Sequence, residues 1–173
     1  MTATRSAEEA AEELLAKHGF EALPVDVEQL VQLEGAQLVR ENLDRSISGM
    51  LIREESVVLL AVNSGNHPRR QRFTIAHELG HLLLHPGRQH TVDSTVRVNF
   101  RDDVSSRATD SEEIEANAFA AALLMPAVQV RASLQRFQSA TGNPGRVVSE
   151  LAEQFGVSAE AMGYRLINLG LST

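Results

Sequence analysis

The chain has 173 residues, of which 43% are hydrophobic and 4% are aromatic, so it is long enough for one domain with a mainly aliphatic core. Its formal net charge of -7 excludes a global basic field that would attract nucleic acid or an anionic membrane. It has no cysteine, which excludes disulfides, thiolate metal sites and a cysteine nucleophile, so any metal site must use His, Asp or Glu.

The first half of the chain changes from helical periodicity to strand patterning near residue 36. Apolar spacing and the breakers Gly19 and Gly35 predict two helices, and aliphatic runs predict three strands. The last strand is apolar on both faces, so we expect it at the centre of a sheet. The predicted helices are 6–17 and 25–32, and the predicted strands are 36–40, 48–52 and 56–62, the last two forming a hairpin.

The second half is predicted to be helical apart from one long loop. Pro68 favours the first position of a helix, and Pro86 and Pro126 end the helices before them. The fold class is therefore α+β, with helices around a small, mostly antiparallel sheet. The predicted helices are 68–85, 112–125, 127–139, 147–155 and 158–168, and the predicted loop is 86–111, with an alternating stretch at 96–100.

An HExxH motif, His77-Glu78-Leu79-Gly80-His81, lies inside the predicted helix 68–85. Residues four apart share a helix face and lie about 6 Å apart along the axis, so two imidazoles can converge on one ion. The flanks are apolar, and a buried helix that held these groups without a metal would be costly. We therefore predict His77 and His81 as metal ligands and Glu78 as the general base that activates water.

His85 continues the row of histidines at positions 77, 81 and 85. That row would span about 12 Å along the helix axis, which is too far for three side chains to meet at one ion. We therefore interpret His85 as a residue that caps the helix C-terminus or supports a ligand, because a histidine suits that end of a helix.

A catalytic zinc site needs a third protein ligand, and the next predicted helix offers three glutamates. Glu113 and Asn117 are four apart on a helix that is otherwise apolar and is therefore expected to be buried, which favours Glu113 as the ligand with Asn117 supporting the site. However, Glu112 fits a capping box with Thr109, Glu115 fits a solvent-facing position, and Glu113 itself fits a first-turn carboxylate. The residues alone leave this choice open.

Two separate motifs resemble the ImmA/IrrE family of metallo-endopeptidases. One is the HExxH helix with the strand and turn that precede it. The other is Glu113-Ile114-Glu115-Ala116-Asn117-Ala118-Phe119-Ala120, and the similarity extends over about residues 45–170. The resemblance implies that Glu113 completes the zinc site. It also implies that the protein cleaves a repressor carrying a helix-turn-helix and so relieves transcriptional repression.

Residues 141–173 predict two short helices around Gly156, which is a helix-turn-helix-like pattern. From Arg146 to the end the chain has two Arg and three Glu, whereas a helix that reads DNA presents several basic or amide side chains. This segment is therefore expected to pack on a metallopeptidase domain of residues 1–140, or to dock a protein substrate, rather than to bind nucleic acid directly.

The sequence thus predicts a zinc-dependent endopeptidase that acts on a protein, a transcriptional repressor by resemblance; Mn2+ or Fe2+ also suits two His and one Glu. Two alternatives are a metal-binding regulatory module that cleaves nothing, which would not need Glu78, and a DNA-binding regulator. The first twenty residues contain four Glu and no long apolar segment, and no run reaches 18 apolar residues. We therefore expect no signal peptide, no membrane contact and a cytoplasmic location, while the oligomeric state stays undefined.

Overall fold

The computed structural model describes residues 3–54, 57–86, 90–94, 103–141 and 144–172. Within these ranges the chain forms seven helices and one four-stranded sheet, which confirms the predicted α+β class. The strands are β1 (Gln37–Glu41), β2 (Ile47–Glu54), β3 (Val57–Asn63) and β4 (His90–Ser94). The helices are α1 (Ala3–His18), α2 (Val27–Leu33), α3 (Pro68–Leu84), α4 (Asp103–Leu124), α5 (Ala127–Thr141), α6 (Pro144–Phe155) and α7 (Ala159–Asn168).

The sheet is mixed, with the strand order β1-β3-β2-β4. The strand β3 is central, as predicted, and it pairs in parallel with β1 and antiparallel with β2. The strand β4 pairs antiparallel with the other edge of β2, with a register shift between Ile47 and Gly49 that marks a β-bulge at Ser48. The parallel pairing of β1 was not predicted, because the alternation of residues within a strand does not determine which strands it pairs with or in which direction.

The segment predicted to be a loop, residues 86–111, contains regular structure, so that prediction was wrong. It holds β4, and α4 begins at Asp103 rather than at residue 112. The first turns of α4 are mostly polar in sequence, which is why residues 103–111 resemble a loop. Glu112 and Glu113 lie well inside α4, so neither a capping box nor a first-turn position explains them. The alternating stretch at 96–100 lies outside the described residues.

Asn63 fixes the path of the chain from β3 into α3. Its buried amide Nδ2 donates to three carbonyls of the 43–47 segment at 2.8–3.2 Å, and its Oδ1 accepts the Gly65 N–H at 3.0 Å. Pro68 then occupies the first turn of α3, and His67 caps that turn with its side chain. The start of α3 is therefore held to the sheet on both sides of the turn, which sets where the HExxH motif lies.

The helices α3 and α4 approach each other closely at Gly80. A Cβ atom added there would lie 3.2 Å from Ala116 Cα and 3.1 Å from Phe119 Cδ1. These separations are tighter than ordinary van der Waals contact, so the missing side chain is what lets the two helices touch. The contact places the polar residues of α4 over the histidines of α3.

The C-terminal helices pack on the rest of the chain through Arg165. Its side chain is 2% exposed, and it donates from Nε to Met125 O at 3.0 Å and pairs through a terminal nitrogen with Glu8 of α1 at 2.6 Å. Arg165 is the one basic residue of α7 and it is buried, so that helix exposes no cation, while Tyr164 and Ile167 are exposed.

The buried core is aliphatic, as the composition predicted, with Phe119 and Phe155 as its largest fully buried side chains. It extends from α1 through the sheet to α6 and α7. Across the described ranges, no helix combines the length and apolar character that crossing a bilayer requires.

The contact at Gly80 predicts that this glycine cannot accept a larger residue. We expect Gly80→Val to lower the free energy of unfolding by about 1–3 kcal/mol, because the added carbons overpack the crossing of α3 and α4. The matched control is Gly163→Val in α7, where an added Cβ meets nothing within 4 Å. Valine has a slightly better helix propensity than glycine, so the control should unfold at the same urea concentration or a higher one. Equal losses in both variants would contradict the close contact.

Candidate metal centre

Three side chains from α3 and α4 bring their electron-rich atoms together, and we call them the ligand cluster: His77, His81 and Glu113. The Nε2 atoms of the two histidines lie 3.1 Å apart. The Glu113 oxygens lie 3.3 Å from His77 Nε2 and 3.1 Å from His81 Nε2. Atoms bound tetrahedrally to zinc at 2.0–2.1 Å are about 3.3–3.4 Å apart, so the spacing fits one zinc ion.

The hydrogen bond of His77 agrees with this interpretation. Its Nδ1 lies 3.1 Å from Asn117 Oδ1, and an amide oxygen only accepts, so Nδ1 carries the hydrogen. The Nε2 of the neutral ring then holds a lone pair that faces Glu113 and His81. Lone pairs and a carboxylate directed at one point repel each other unless a cation lies between them, so the residues fit a metal ion.

The electrostatics of the cluster favour the protonation states that metal ligands need. Burial lowers the pKa of His81, which keeps the ring neutral. Burial raises the pKa of Glu113, but the neighbouring His77 and His81 outweigh that effect, so its pKa lies below the ordinary value and the carboxylate stays ionised. A neutral imidazole and an ionised carboxylate are the forms that bind zinc.

Glu78, the predicted general base, is fully buried between α3 and the sheet. Its Oε1 would lie 3.6 Å from a Cβ atom at Gly49, so the carboxylate is beside β2 next to the bulge. Burial lowers the pKa of Arg53, and the negative charge of Glu78 opposes that effect, so the two groups interact electrostatically. Because Glu78 directly follows His77 in α3, it is a buried carboxylate next to a candidate metal ligand, which is the position that the general base of an HExxH motif has.

Arg53 holds the end of the motif helix and was not identified from the sequence. Its guanidinium donates to His81 O at 2.7 Å and to Leu82 O at 3.2 Å, which satisfies carbonyls in the last turn of α3. The sequence predicted Arg53 only as part of the turn that joins the two hairpin strands, whereas it lies within β2. A contact across 28 positions leaves no local pattern that could have indicated it.

Glu113 and Asn117 lie at the rim of the site rather than in the core. The Glu113 side chain is 36% exposed, and Asn117 is exposed, which corrects the expectation that both are buried on an apolar helix. The reason is that this flank of α4 opens to solvent above the histidines. The two histidines are buried, so the site opens on the α4 side.

The remaining candidates lie outside the ligand cluster. Among the described residues, Glu112 and Glu115 contribute no atom to it. Glu115 was weighed as a solvent-facing residue, but its Oε2 lies 3.2 Å from His85 Nε2. His85 is the C-cap residue of α3, in agreement with the prediction that it is not a third ligand.

The Peptidase_M78 family model, described as the IrrE N-terminal-like domain, matches residues 35–167, which is more than half of the chain. The chain belongs to this metalloprotease family, which confirms the resemblance that its two motifs indicated. The family and the ligand cluster together support a divalent metal at this site.

Particular relatives carry names that agree with this class. The radiation response metalloprotease IrrE of Deinococcus deserti is 34% identical over 167 residues, which are 95% of this chain and 55% of the relative. The protein of the same name from Deinococcus radiodurans is 36% identical over 114 residues, which are 65% of this chain and 31% of the relative. The chain therefore spans about a third to a half of these relatives.

Two further similarities are more distant. The uncharacterized immunity region protein 2 of Bacillus phage phi105 is 34% identical over 85 residues, which are 49% of each protein. The structure of a Mycobacterium tuberculosis transcriptional regulator matches with a TM-score of 0.63 and 22% identity, covering 93% of this chain and 46% of that chain. The structural match shows a shared fold.

The ligand cluster predicts that zinc stabilises the folded chain. At a free zinc concentration 100 times the dissociation constant, the free energy of unfolding should rise by about 2.7 kcal/mol, which for a chain of this size raises Tm by about 5–10 °C. Thermal unfolding followed by circular dichroism, with zinc and then with excess chelator, measures the shift. Glu113→Gln should lose most of it, whereas Glu153→Gln, an exposed change on α6, should keep it. An equal shift in Glu113→Gln would contradict the assignment of Glu113.

Proposed function

We propose that this chain is a zinc-dependent endopeptidase that cleaves a helix-turn-helix transcriptional repressor. The observation that carries the proposal is the ligand cluster with the fully buried Glu78 next to it in the same helix. The names of two relatives, a radiation response metalloprotease and an immunity region protein, support a protease that acts on a regulator. Relief of repression would then follow from loss of the intact repressor.

In this proposal His77, His81 and Glu113 hold the zinc ion, and Glu78 handles the proton. The ion, when bound, supplies Lewis acidity at the scissile carbonyl and lowers the pKa of water towards about 7. Glu78 takes the proton of the attacking water and later gives it to the leaving amine. Its burial beside β2 limits its contact with bulk water and keeps its orientation fixed.

The edge strand β4 is the part of the sheet best placed to hold a substrate. Among the described strands it pairs on one side only, with β2, and β2 carries Gly49 beside Glu78. A peptide that added to β4 as a further strand would run past the motif helix in extended form. Main-chain pairing of this kind binds a segment of the substrate without demanding one sequence.

We assign catalysis to residues 1–140 and a docking role to residues 141–173. The exposed Tyr164 and Ile167 of α7 support contact with a protein rather than with nucleic acid. A repressor substrate also implies that the enzyme works in the cytoplasm.

The proposal predicts that Glu78→Gln separates metal binding from cleavage. The variant should bind zinc as the wild type does, because Glu78 is not in the ligand cluster. Its cleavage rate should fall by about 10²–10⁴-fold, because a neutral amide cannot accept the proton. Metal content is measured by atomic emission, and cleavage of a candidate helix-turn-helix repressor is followed by mass spectrometry, with Glu153→Gln as the control.

Three outcomes would contradict the proposal. If Glu78→Gln cleaves at the wild-type rate, the assigned base is wrong. If the wild type binds zinc but leaves the repressor intact, the chain is a metal-binding regulatory module instead. A salt-dependent shift of duplex DNA by the wild type would instead support a DNA-binding regulator.

A further inference from the structure

We infer that His85 and Glu115 form a hydrogen-bonded chain that fixes the tautomer and the orientation of the ligand His81. This inference rests on the proposed metal centre and adds two positioning residues to it. Neither residue touches the ion or the substrate in this scheme, because both act through the imidazole of His81.

The chain of contacts is continuous from the ligand cluster to the surface of α4. His81 Nδ1 lies 3.1 Å from His85 Nδ1, and His85 Nε2 lies 3.2 Å from Glu115 Oε2. Ser111 donates to the other Glu115 oxygen at 3.3 Å. The His85 side chain is only 8% exposed, so water competes little for its two nitrogens.

The direction of the hydrogen bonds follows from the Glu115 end. An ionised carboxylate only accepts, so His85 Nε2 carries the hydrogen of that contact. In a neutral ring this leaves a lone pair on His85 Nδ1, which must accept from His81. The hydrogen of His81 is then on Nδ1, and its Nε2 presents a lone pair to His77 and Glu113.

The same assignment of hydrogens follows from the His81 end of these hydrogen bonds. A ligand that binds metal through Nε2 keeps its hydrogen on Nδ1 and needs an acceptor there. His85 Nδ1 is the partner that the structure places at that atom, and it accepts only if its own hydrogen is on Nε2. Both ends therefore give one set of tautomers, with His85 opposite to the two ligands.

The contact also explains why the third histidine of the row at 77, 81 and 85 is not a ligand. His85 ends α3 with φ -124° and ψ 62°, outside the helical region, and its ring lies against His81. It bridges α3 to Glu115 of α4, the helix that supplies Glu113. The two helices are thus joined both by the ligand cluster and by the support of one ligand.

The two ligand histidines are supported in different ways. His77 is held by the neutral amide of Asn117, which is exposed. His81 is held through a nearly buried imidazole by a carboxylate. A carboxylate at the end of such a chain makes the ligand nitrogen more electron-rich and limits ring rotation, which is why partners of this kind tighten metal sites.

The test uses paired variants that separate hydrogen bonding from packing. His85→Phe keeps the ring and removes both nitrogens, whereas His85→Gln loses the ring but keeps an acceptor for His81 and a donor for Glu115. Likewise, Glu115→Ala removes the acceptor, and Glu115→Gln restores one. The control is Glu153→Ala, an exposed carboxylate on α6. The zinc dissociation constant of each purified full chain is measured by competition with a chromophoric chelator.

We expect His85→Phe and Glu115→Ala to bind zinc about 10–100-fold more weakly than the wild type. The two Gln variants should recover most of the affinity, and Glu153→Ala should match the wild type. Circular dichroism of each metal-free variant checks that it folds. If His85→Phe does not fold, Glu115→Ala still tests the inference, because that position is partly exposed. If His85 acted only by packing, His85→Phe would bind zinc as tightly as the wild type and His85→Gln would bind it more weakly. That result would overturn the inference.

A second readout does not depend on affinity. Long-range ¹H–¹⁵N spectra of the zinc-loaded wild type report which nitrogen of each ring carries hydrogen. We expect hydrogen on Nδ1 of His77 and His81 and on Nε2 of His85, and hydrogen on His85 Nδ1 would overturn the inference. If the wild type and all variants bind zinc equally, the role inferred for His85 and Glu115 is wrong but the metal centre stands. If the wild type binds no zinc, both the metal centre and this inference are wrong.

Discussion

The close contact of α3 and α4 at Gly80 is the constraint on which the rest of the site depends. Two side chains of the ligand cluster come from one helix and the third comes from the other, and the distances between their nearest nitrogen and oxygen atoms are 3.1–3.3 Å. Such short separations survive only small changes in the distance between the helices. Gly80 and Ala116 set that distance, while Asn63 fixes where α3 leaves the sheet. Residues that contribute no ligand atom therefore position the side chains of the ligand cluster.

The sequence predicted well what is local. His77, Glu78 and His81 lie within five positions of one helix, so helical geometry alone brings the two imidazoles together. The third side chain comes from another helix, and periodicity could not decide between Glu112, Glu113 and Glu115. That decision came from the resemblance of a second motif to a known family, and the structure brings Glu113 to the histidines. Residue spacing therefore predicted the two histidine ligands, and the family resemblance predicted the third ligand.

The parts that were missed depend on contacts between distant positions. The strand β4 and the start of α4 are mostly polar in sequence, and β4 forms by pairing with β2, a contact that no amphipathic pattern in its own residues indicates. Arg53 reaches across 28 positions to the end of α3, and Glu115 reaches across 30 to His85. Neither contact produces a periodic pattern of residues from which it could be predicted. The burial expected for Asn117 was also wrong, because an apolar helix can still have one flank open to solvent.

The unequal burial of the three candidate ligands has a kinetic consequence. The histidine side chains are 3% and 2% exposed, whereas that of Glu113 is 36% exposed. Among the described residues, the Glu113 side of the site is the exposed one, so an ion bound there would enter and leave past a glutamate whose side chain can rotate away while the histidines stay in place. Exchange then requires a rotamer change on a helix surface, which is fast, and not an opening of the core, which is slow. The loading of such a site follows the supply of free metal around the protein, so occupancy can change within the lifetime of one folded molecule.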